Sequence, residues 1–192
     1  MDYRHWLSQK VADGSLDWSK AQSSTFPRFL EKYTLHDSQW IGFWMEPPFE
    51  STLVIYWDRV WLERMEGEKI QFRAPANGDV NEDWPVLLVQ FERVWRLECC
   101  YGSILSPGWR VNETISDAES KLLSEGERLA LIDSETQRQR QSKKFLDMVL
   151  EENLFHTSIE PIYESWVEIW HGGKTRFLCL DHSGEPLFIP GI

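Results

Sequence analysis

The chain is poor in cysteine, and this shortage excludes a class of protein. It has three cysteines in 192 residues, two of them adjacent at Cys99 and Cys100. Neighbouring residues of a strand point to opposite faces, so this set does not predict a disulfide framework. Because disulfides persist in oxidising compartments, we expect a cytoplasmic protein.

Positive charge is also scarce. The sequence has 20 Lys and Arg against 31 Asp and Glu, and its formal net charge at pH 7 is −11. Such a charge repels phosphate backbones and anionic lipid headgroups, so we expect neither nucleic acid nor a membrane as a partner. No apolar run approaches the roughly 18 residues of a membrane span, and the N-terminus is polar where a signal peptide is apolar.

Catalytic and metal-binding motifs are missing as well. The sequence contains no GxSxG, HExxH, P-loop, GxGxxG or CxxC pattern. A carboxylate stands beside an imidazole only at His36-Asp37 and Asp181-His182, and adjacent strand residues face opposite ways. A metal site would need His36, Asp37, His171 and His182 to converge through the fold, and strand-end and turn histidines are the commoner explanation. We therefore expect no metal and no cofactor.

A cysteine nucleophile is the other catalytic candidate. Cys100 precedes Tyr101-Gly102-Ser103 at a predicted strand end. No base can be identified for it, and a buried cysteine usually behaves as a small hydrophobe. The sequence therefore favours a protein that is not an enzyme.

Aromatic residues, by contrast, are abundant. They make up 14% of the chain, with 11 Trp and 10 Phe, and predict a globular protein with a substantial core. The longest patterned stretch, Trp84 to Tyr101, places apolar residues on one parity: Leu87, Val89, Phe91, Trp95, Leu97 and Cys99. This period of two predicts a central strand or strand pair, with the residues from Val89 to Leu97 on that parity buried together. Arg93 interrupts the pattern and predicts a bulge or bend.

Helical signals occur in two regions. Ser24 or Thr25 before Pro27, a favoured first helical residue, predicts a short helix near the N-terminus. Ser116 and Glu119 form a capping-box pattern that predicts a helix to about Ser124. A further helix, capped by Asp133 or Ser134, is expected to run to about Leu154, while residues 127–132 fit either a strand or a helix.

The remaining patterns predict antiparallel strands. Leu35 to Met45 and Ser51 to Leu62 form one expected pair, and Glu160 to Trp170 with Thr175 to Asp181 form an expected hairpin whose turn is HGGK. Together the patterns predict a single α+β domain over residues 1–192, in which a mainly antiparallel sheet, a meander plus a C-terminal hairpin, has helices packed on one side. Residues 1–34 would be its helical N-terminal part and 116–154 a helical insertion.

The sequence Leu35-His36-Asp37-Ser38, at the opening of a predicted strand, resembles small bacterial α+β proteins of unknown function, including some immunity proteins that neutralise toxins. The resemblance covers these four residues and the hydrophobic strands that follow. It implies a cytoplasmic binding protein without a cofactor, and no functional residue is carried over from it.

A candidate binding face lies on the strand predicted before HGGK. Two carboxylates and two indoles share one parity there: Glu164, Trp166, Glu168 and Trp170. If Val167 and Ile169 point to the core, the Glu/Trp face points outward and offers charge partners and aromatic platforms to a basic surface. The alternative interpretation is that the indoles cover a second apolar layer and the glutamates lie in water.

These observations favour a non-enzymatic, immunity-like protein-interaction module that binds a basic partner through the acidic and aromatic face. The alternative is a small-molecule binding protein or hydrolase with a pocket lined by tryptophans and with His36 and Asp37 at its mouth. A deep closed pocket would favour the alternative.

Overall fold

The computed structural model describes residues 15–46, 50–57, 85–99, 109–137, 153–161, 166–181 and 184–192. Antiparallel strands predominate in this part of the chain. The strands are β1 (Gln22–Ser24), β2 (Gln39–Glu46), β3 (Glu50–Tyr56), β4 (Val86–Phe91), β5 (Val94–Cys99), β6 (Trp109–Leu122), β7 (Leu154–Pro161), β8 (Val167–Gly172), β9 (Thr175–Leu180) and β10 (Pro186–Leu187). The helices are α1 (Phe26–Leu30) and α2 (Glu125–Gln137), and Trp18–Lys20 form a 3₁₀ turn.

The strands form two antiparallel sheets, one of them a curled half-barrel. The first sheet has the order β1-β9-β4-β3-β2-β6, with β10 beside β9, and the second has the order β6-β7-β8-β5. The long strand β6 belongs to both sheets, because β2 pairs with its first half and β7 with its second half. The core is therefore enclosed by strands of both sheets.

The sheets also meet where β4 continues into β5 and β8 continues into β9. β4 pairs with β9, and β5 pairs with β8, so two long chain segments run antiparallel and bend together. At the bend, the Glu92 N–H donates to the Lys174 carbonyl at 3.3 Å and the Gly172 N–H donates to the Arg93 carbonyl at 3.0 Å. Arg93 has a φ of 53°, and the register shifts between Val94 and Arg96. The bend predicted near Arg93 is confirmed.

The C-terminal hairpin predicted from Glu160 to Trp170 and Thr175 to Asp181 is wrong. β8 pairs with β5 and β7, and β9 pairs with β1, β4 and β10, so the described residues contain no β8–β9 ladder. The two glycines of HGGK let the backbone bend between the sheets. A glycine pair predicts a sharp change of chain direction. Whether the two flanking strands then form a hairpin depends on whether they pair with each other or, as here, with other strands.

The predicted class, α+β with helices packed on one side of the sheet, is also wrong. The described residues contain two α-helices, and residues 116–122 of the predicted helical insertion belong to β6. The Ser116 hydroxyl donates to the Glu160 carbonyl of β7 at 2.6 Å, so strand pairing overrides the capping-box pattern of Ser116 and Glu119. No helix in the described part of the chain is long and apolar enough to cross a membrane.

A capping box does exist eight residues further along, at the start of α2. The Ser124 N–H donates to Glu127 Oε2 at 2.8 Å, and the Glu127 N–H donates back to Ser124 Oγ at 3.3 Å. Hydrogen bonds from Lys121 and Ser124 lower the pKa of Glu127 to about 2. Residues 127–132 are helical, and Asp133 and Ser134 lie inside α2 rather than capping a later helix.

Helix α1 forms where the sequence predicts it and closes one end of the core. The Arg28 N–H donates to Thr25 Oγ1 at 3.3 Å, and Pro27 occupies the first turn, where no backbone donor is needed. Phe26 and Phe29 are fully buried and stack on Phe177 of β9, at centroid distances of 6.3 and 4.9 Å. The short helix is therefore held by aromatic packing more than by its own hydrogen bonds.

The parity predicted for Trp84 to Tyr101 holds only as far as the bend. All six residues of β4 are buried, and Val89 and Phe91 belong to the main core. Leu97 packs against the same core, but Trp95 packs against Leu123 and Leu154 in a second cluster. The expected common burial is thus wrong for Trp95, because the register shift after Val94 turns its side chain to the other face.

Candidate functional site

The outward face of the second sheet carries two cross-strand rows, each with one residue from every strand. In the order β6, β7, β8 and β5, the first row is Lys121, His156, Trp170 and Arg96, and the second is Glu119, Ser158, Glu168 and Glu98. Val167 and Ile169 alternate with the β8 members of these rows and are fully buried in the core. Val167 and Ile169 therefore point to the core, and Glu168 and Trp170 lie on the opposite face of β8. Trp166 is half-buried just before β8, and Glu164 lies outside the described residues.

Trp170 is partly covered by its neighbours. Its ring lies 4.6 Å from the His156 ring in a stacked arrangement, and the Arg96 guanidinium lies 4.8 Å from its centroid. Trp170 also packs against the cluster of Leu123 and Leu154. Trp170 thus fits the interpretation that an indole covers a second apolar layer. The groups of this face that are left to bind a partner are its carboxylates.

A cleft of about 660 Å³ lies between α1 and the outward face of β6, β7 and β8. Four carboxylates and a single lysine line it: Glu31, Glu119, Glu160, Glu168 and Lys121. Apolar lining comes from Pro27 and Leu30 of α1 and from Ala118 of β6. We call this feature the acidic cleft.

The cations of this face already have partners. Lys121 Nζ lies 2.8 Å from Glu127 Oε1, and Arg96 Nε lies 2.8 Å from Glu98 Oε1. The four glutamates of the acidic cleft have no Lys or Arg nitrogen within 4.0 Å among the described residues. Their negative charge is therefore not balanced locally, and the cleft attracts cations.

His156 lines the acidic cleft without offsetting its charge. Its Nε2 atom lies 3.9 Å from Glu168 Oε2, which is too far for a hydrogen bond. Burial lowers the pKa of His156, and the nearby Glu168 carboxylate only partly opposes that effect. The imidazole is thus mostly neutral at pH 7.

A chain of polar side chains runs from the acidic cleft into the core. Ser120 Oγ, on the cleft wall, lies 2.7 Å from Thr157 Oγ1, which lies 2.9 Å from His171 Nε2. His171 Nδ1 lies 2.7 Å from the Gly172 carbonyl, which can only accept, so Nδ1 carries the proton and Nε2 accepts from Thr157. Burial lowers the pKa of His171 to about 4. Both ring nitrogens are engaged, so His171 is not placed as a metal ligand.

His36 and Asp37 lie in the turn before β2, where a strand opening was expected. His36 Nδ1 is 3.1 Å from Asp37 Oδ2, and more than half of each side chain is exposed. His171 is buried elsewhere, and His182 lies outside the described residues. No group of three or more His, Cys, Asp or Glu in the described part of the chain could hold a metal ion.

The acidic cleft differs from the pocket of the alternative hypothesis. No tryptophan lines it, and neither does His36 or Asp37. The same is true of a smaller cleft of about 300 Å³ between residues 15–20 and β9. Burial raises the pKa of the Cys179 thiol and keeps it unreactive, whereas Cys100 lies outside the described residues.

Sequence reasoning missed the β6 and β7 side of the cleft. The alternation of Asp117, Glu119 and Lys121 with smaller residues is a period-two signal, but the capping-box pattern assigned that segment to a helix. The distant carboxylate Glu31 joins the cleft only through tertiary packing of α1.

No family model, curated protein or solved structure matches the chain. A function for this protein must therefore be inferred from the geometry of the acidic cleft.

Proposed function

We propose that this protein is an interaction module without enzymatic activity that binds a basic segment of a partner protein in the acidic cleft. The observation that carries the proposal is the set of four cleft glutamates with no Lys or Arg partner among the described residues. Lysine or arginine side chains of a partner would supply the missing countercharge through charge-assisted hydrogen bonds.

The aromatic part of the predicted face has a supporting role. Trp170 is fixed by His156, Arg96 and the second apolar cluster, and it stands next to Glu168 on β8. Trp166, just before β8, is half-buried, and Glu164 lies outside the described residues. The packed indole of Trp170 thereby supports β8 at the position of Glu168, and the carboxylates supply the charge for a guanidinium or ammonium group.

The chain's overall charge supports the same class of partner. At −11, the protein speeds its encounter with a cationic surface and discourages binding of anionic ones. The resemblance of Leu35 to Ser38 to immunity proteins points to a toxin as the class of basic partner, and this finer assignment is part of the proposal.

The test compares three forms of the protein against a defined basic probe: a short acetylated and amidated peptide in which lysine alternates with threonine or valine. Glu119→Lys with Glu168→Lys reverses two charges of the acidic cleft. Asp133→Lys with Glu185→Lys makes the same change of net charge at exposed positions that do not line it. Isothermal titration gives Kd, and circular dichroism confirms that each form is folded.

The expected result is that the cleft variant binds the basic probe at least about tenfold more weakly than the control variant, because it replaces local attraction by repulsion. A peptide with glutamate in place of lysine should not bind the natural protein. Equal weakening by the two variants would show that only net charge matters and would refute the acidic cleft as the site.

A further inference from the structure

Among the described residues, the second half of β6 pairs along one edge only, and we call its other edge the open edge. β7 pairs along Asp117 to Leu122, whereas the ladder with β2 ends at Thr114. The last backbone contacts on the β2 side are made by Ile115, whose N–H donates to the Ser38 carbonyl at 2.8 Å. Within the described residues, no strand accompanies that edge beyond Ile115.

Asp37 explains why the edge opens at this point. Its N–H donates to the Ile115 carbonyl at 3.0 Å, and its φ of 65° places it in the left-handed region. Aspartate tolerates that conformation better than most residues, and the chain reverses there instead of continuing along β6. The sheet edge beyond Ile115 is thereby left to border the acidic cleft.

The open edge presents backbone hydrogen-bonding groups. The Leu123 N–H donates to the Leu154 carbonyl at 2.9 Å. The backbone N–H and carbonyl groups of odd-numbered residues in this segment therefore point to β7, and those of even-numbered residues point to the open edge. The Ala118 N–H donates to Asp117 Oδ1 at 2.8 Å. The N–H and carbonyl of Ser120 and the N–H of Leu122 remain directed to the open edge.

We propose that the partner's segment binds as an additional β-strand on this open edge, and that it alternates basic residues with small or apolar ones. The inference rests on the proposed function and specifies how the partner is held. Main-chain hydrogen bonds to Ser120 and Leu122 would give affinity, as in other cases of strand addition.

The alternation of basic with small or apolar residues follows from the different environments on the two faces of the sheet at this edge. Side chains of an added strand point alternately to the two faces of the sheet. On the outward face they meet Glu119 of β6, and Glu168 lies two strands further along the same row. On the other face they meet Ala118 and Leu30, which pack against the main core. Lysine or arginine suits the first environment, and threonine, valine or alanine suits the second.

The test uses the basic probe and two isomers of it with N-methylated backbones. In one isomer the lysine nitrogens are methylated, and in the other the intervening nitrogens are methylated. Alternate N–H groups of a strand point to opposite edges, so methylation blocks strand addition in only one isomer. That isomer should bind about tenfold more weakly, since it loses hydrogen bonds to β6, and the other should match the unmodified probe within about twofold.

A pair of variants tests the same edge from the side of the protein. Leu122→Pro removes an N–H that faces the open edge, and prolines are tolerated at such positions. Leu122→Ala is the matched control, because it shortens the same side chain and keeps the N–H. We expect the proline variant alone to weaken binding of the unmodified probe, by about tenfold, with an unchanged thermal midpoint.

The outcomes separate the two proposals. Equal binding of both methylated isomers, together with equal binding by the two Leu122 variants, would overturn strand addition and leave the acidic cleft as a site for side chains alone. If one isomer is weakened while Glu119→Lys with Glu168→Lys has no effect, strand addition stands and the charge-based function fails.

Discussion

Thr157 Oγ1 lies 2.9 Å from His171 Nε2, and both residues are fully buried. Thr157 is on β7 and His171 is the opposite-facing neighbour of Trp170 on β8, so the pair joins two strands inside the core. The hydroxyl and the Gly172 carbonyl together satisfy the neutral imidazole, and the ring lies against Phe91 at 4.6 Å. A protonated ring would lose its acceptor role toward Thr157 in an apolar setting.

The first prediction is that His171 makes the fold sensitive to acid. Its pKa falls from 6.5 in the unfolded chain to about 4 in the fold, so the unfolded state binds a proton first as pH falls. The stabilisation is complete above about pH 6.5 and is lost progressively toward pH 4. Between pH 7 and 5 the free energy of unfolding should drop by about 2 kcal/mol more in the natural protein than in His171→Gln.

Urea unfolding at the two pH values measures this difference, and the comparison cancels the carboxylates that both forms share. A proton NMR titration gives an independent check on the natural protein. A His171 ring that titrates near pH 6.5 in the folded protein would contradict the buried neutral state.

The second prediction concerns the main core. Phe91 is fully buried and contacts Phe26 at a centroid distance of 5.2 Å, so Phe91→Ala should lower the free energy of unfolding by about 3–5 kcal/mol. Phe188→Ala is the control, because that ring is 67% exposed and its loss should cost less than about 0.5 kcal/mol. Chemical denaturation measures the free energy of unfolding of both variants. Similar losses for Phe91→Ala and Phe188→Ala would mean that Phe91 does not occupy the core.

The third prediction concerns the bend at HGGK. A methyl group on Gly173 would come 2.9 Å from Phe155 Cε2, so Gly173→Ala should destabilise the fold by about 1–3 kcal/mol. A methyl group on Gly126 in α2 has no atom within 4 Å, and Gly126→Ala should stabilise the fold by about 0.5 kcal/mol. Thermal midpoints report both effects. If both substitutions raise the midpoint, the Phe155 ring does not close over Gly173.

Local signals predicted local structure well. Thr25 and Pro27 fix the start of α1, and the apolar run of β4 is strong enough to identify a strand without knowledge of its partners. The bend at Arg93 was also visible, because a charged residue interrupts an apolar parity there. These features depend on residues that are close in sequence.

The errors arose where distant residues decide the structure. Two glycines at Gly172 and Gly173 fit a hairpin, but β8 and β9 pair with strands far away in sequence. Ser116 and Glu119 fit a capping box, but β7 binds that segment as a strand. The same limit applies to the acidic cleft, since Glu31 and Glu168 meet only after the sheets have assembled.

Binding of a basic partner in the acidic cleft is tested most directly by the salt dependence of association between the protein and the basic probe. Stopped-flow or surface measurements from about 10 mM to 500 mM salt would give the association rate for the natural protein, for Glu119→Lys with Glu168→Lys, and for Asp133→Lys with Glu185→Lys. Long-range attraction is screened as the Debye length falls from about 30 Å to a few Å. We predict a rate that falls steeply with salt for the natural and control proteins, and a slow, nearly flat or rising rate for the cleft variant. Equal rates and equal salt slopes for the cleft and control variants would contradict a basic partner bound in the acidic cleft.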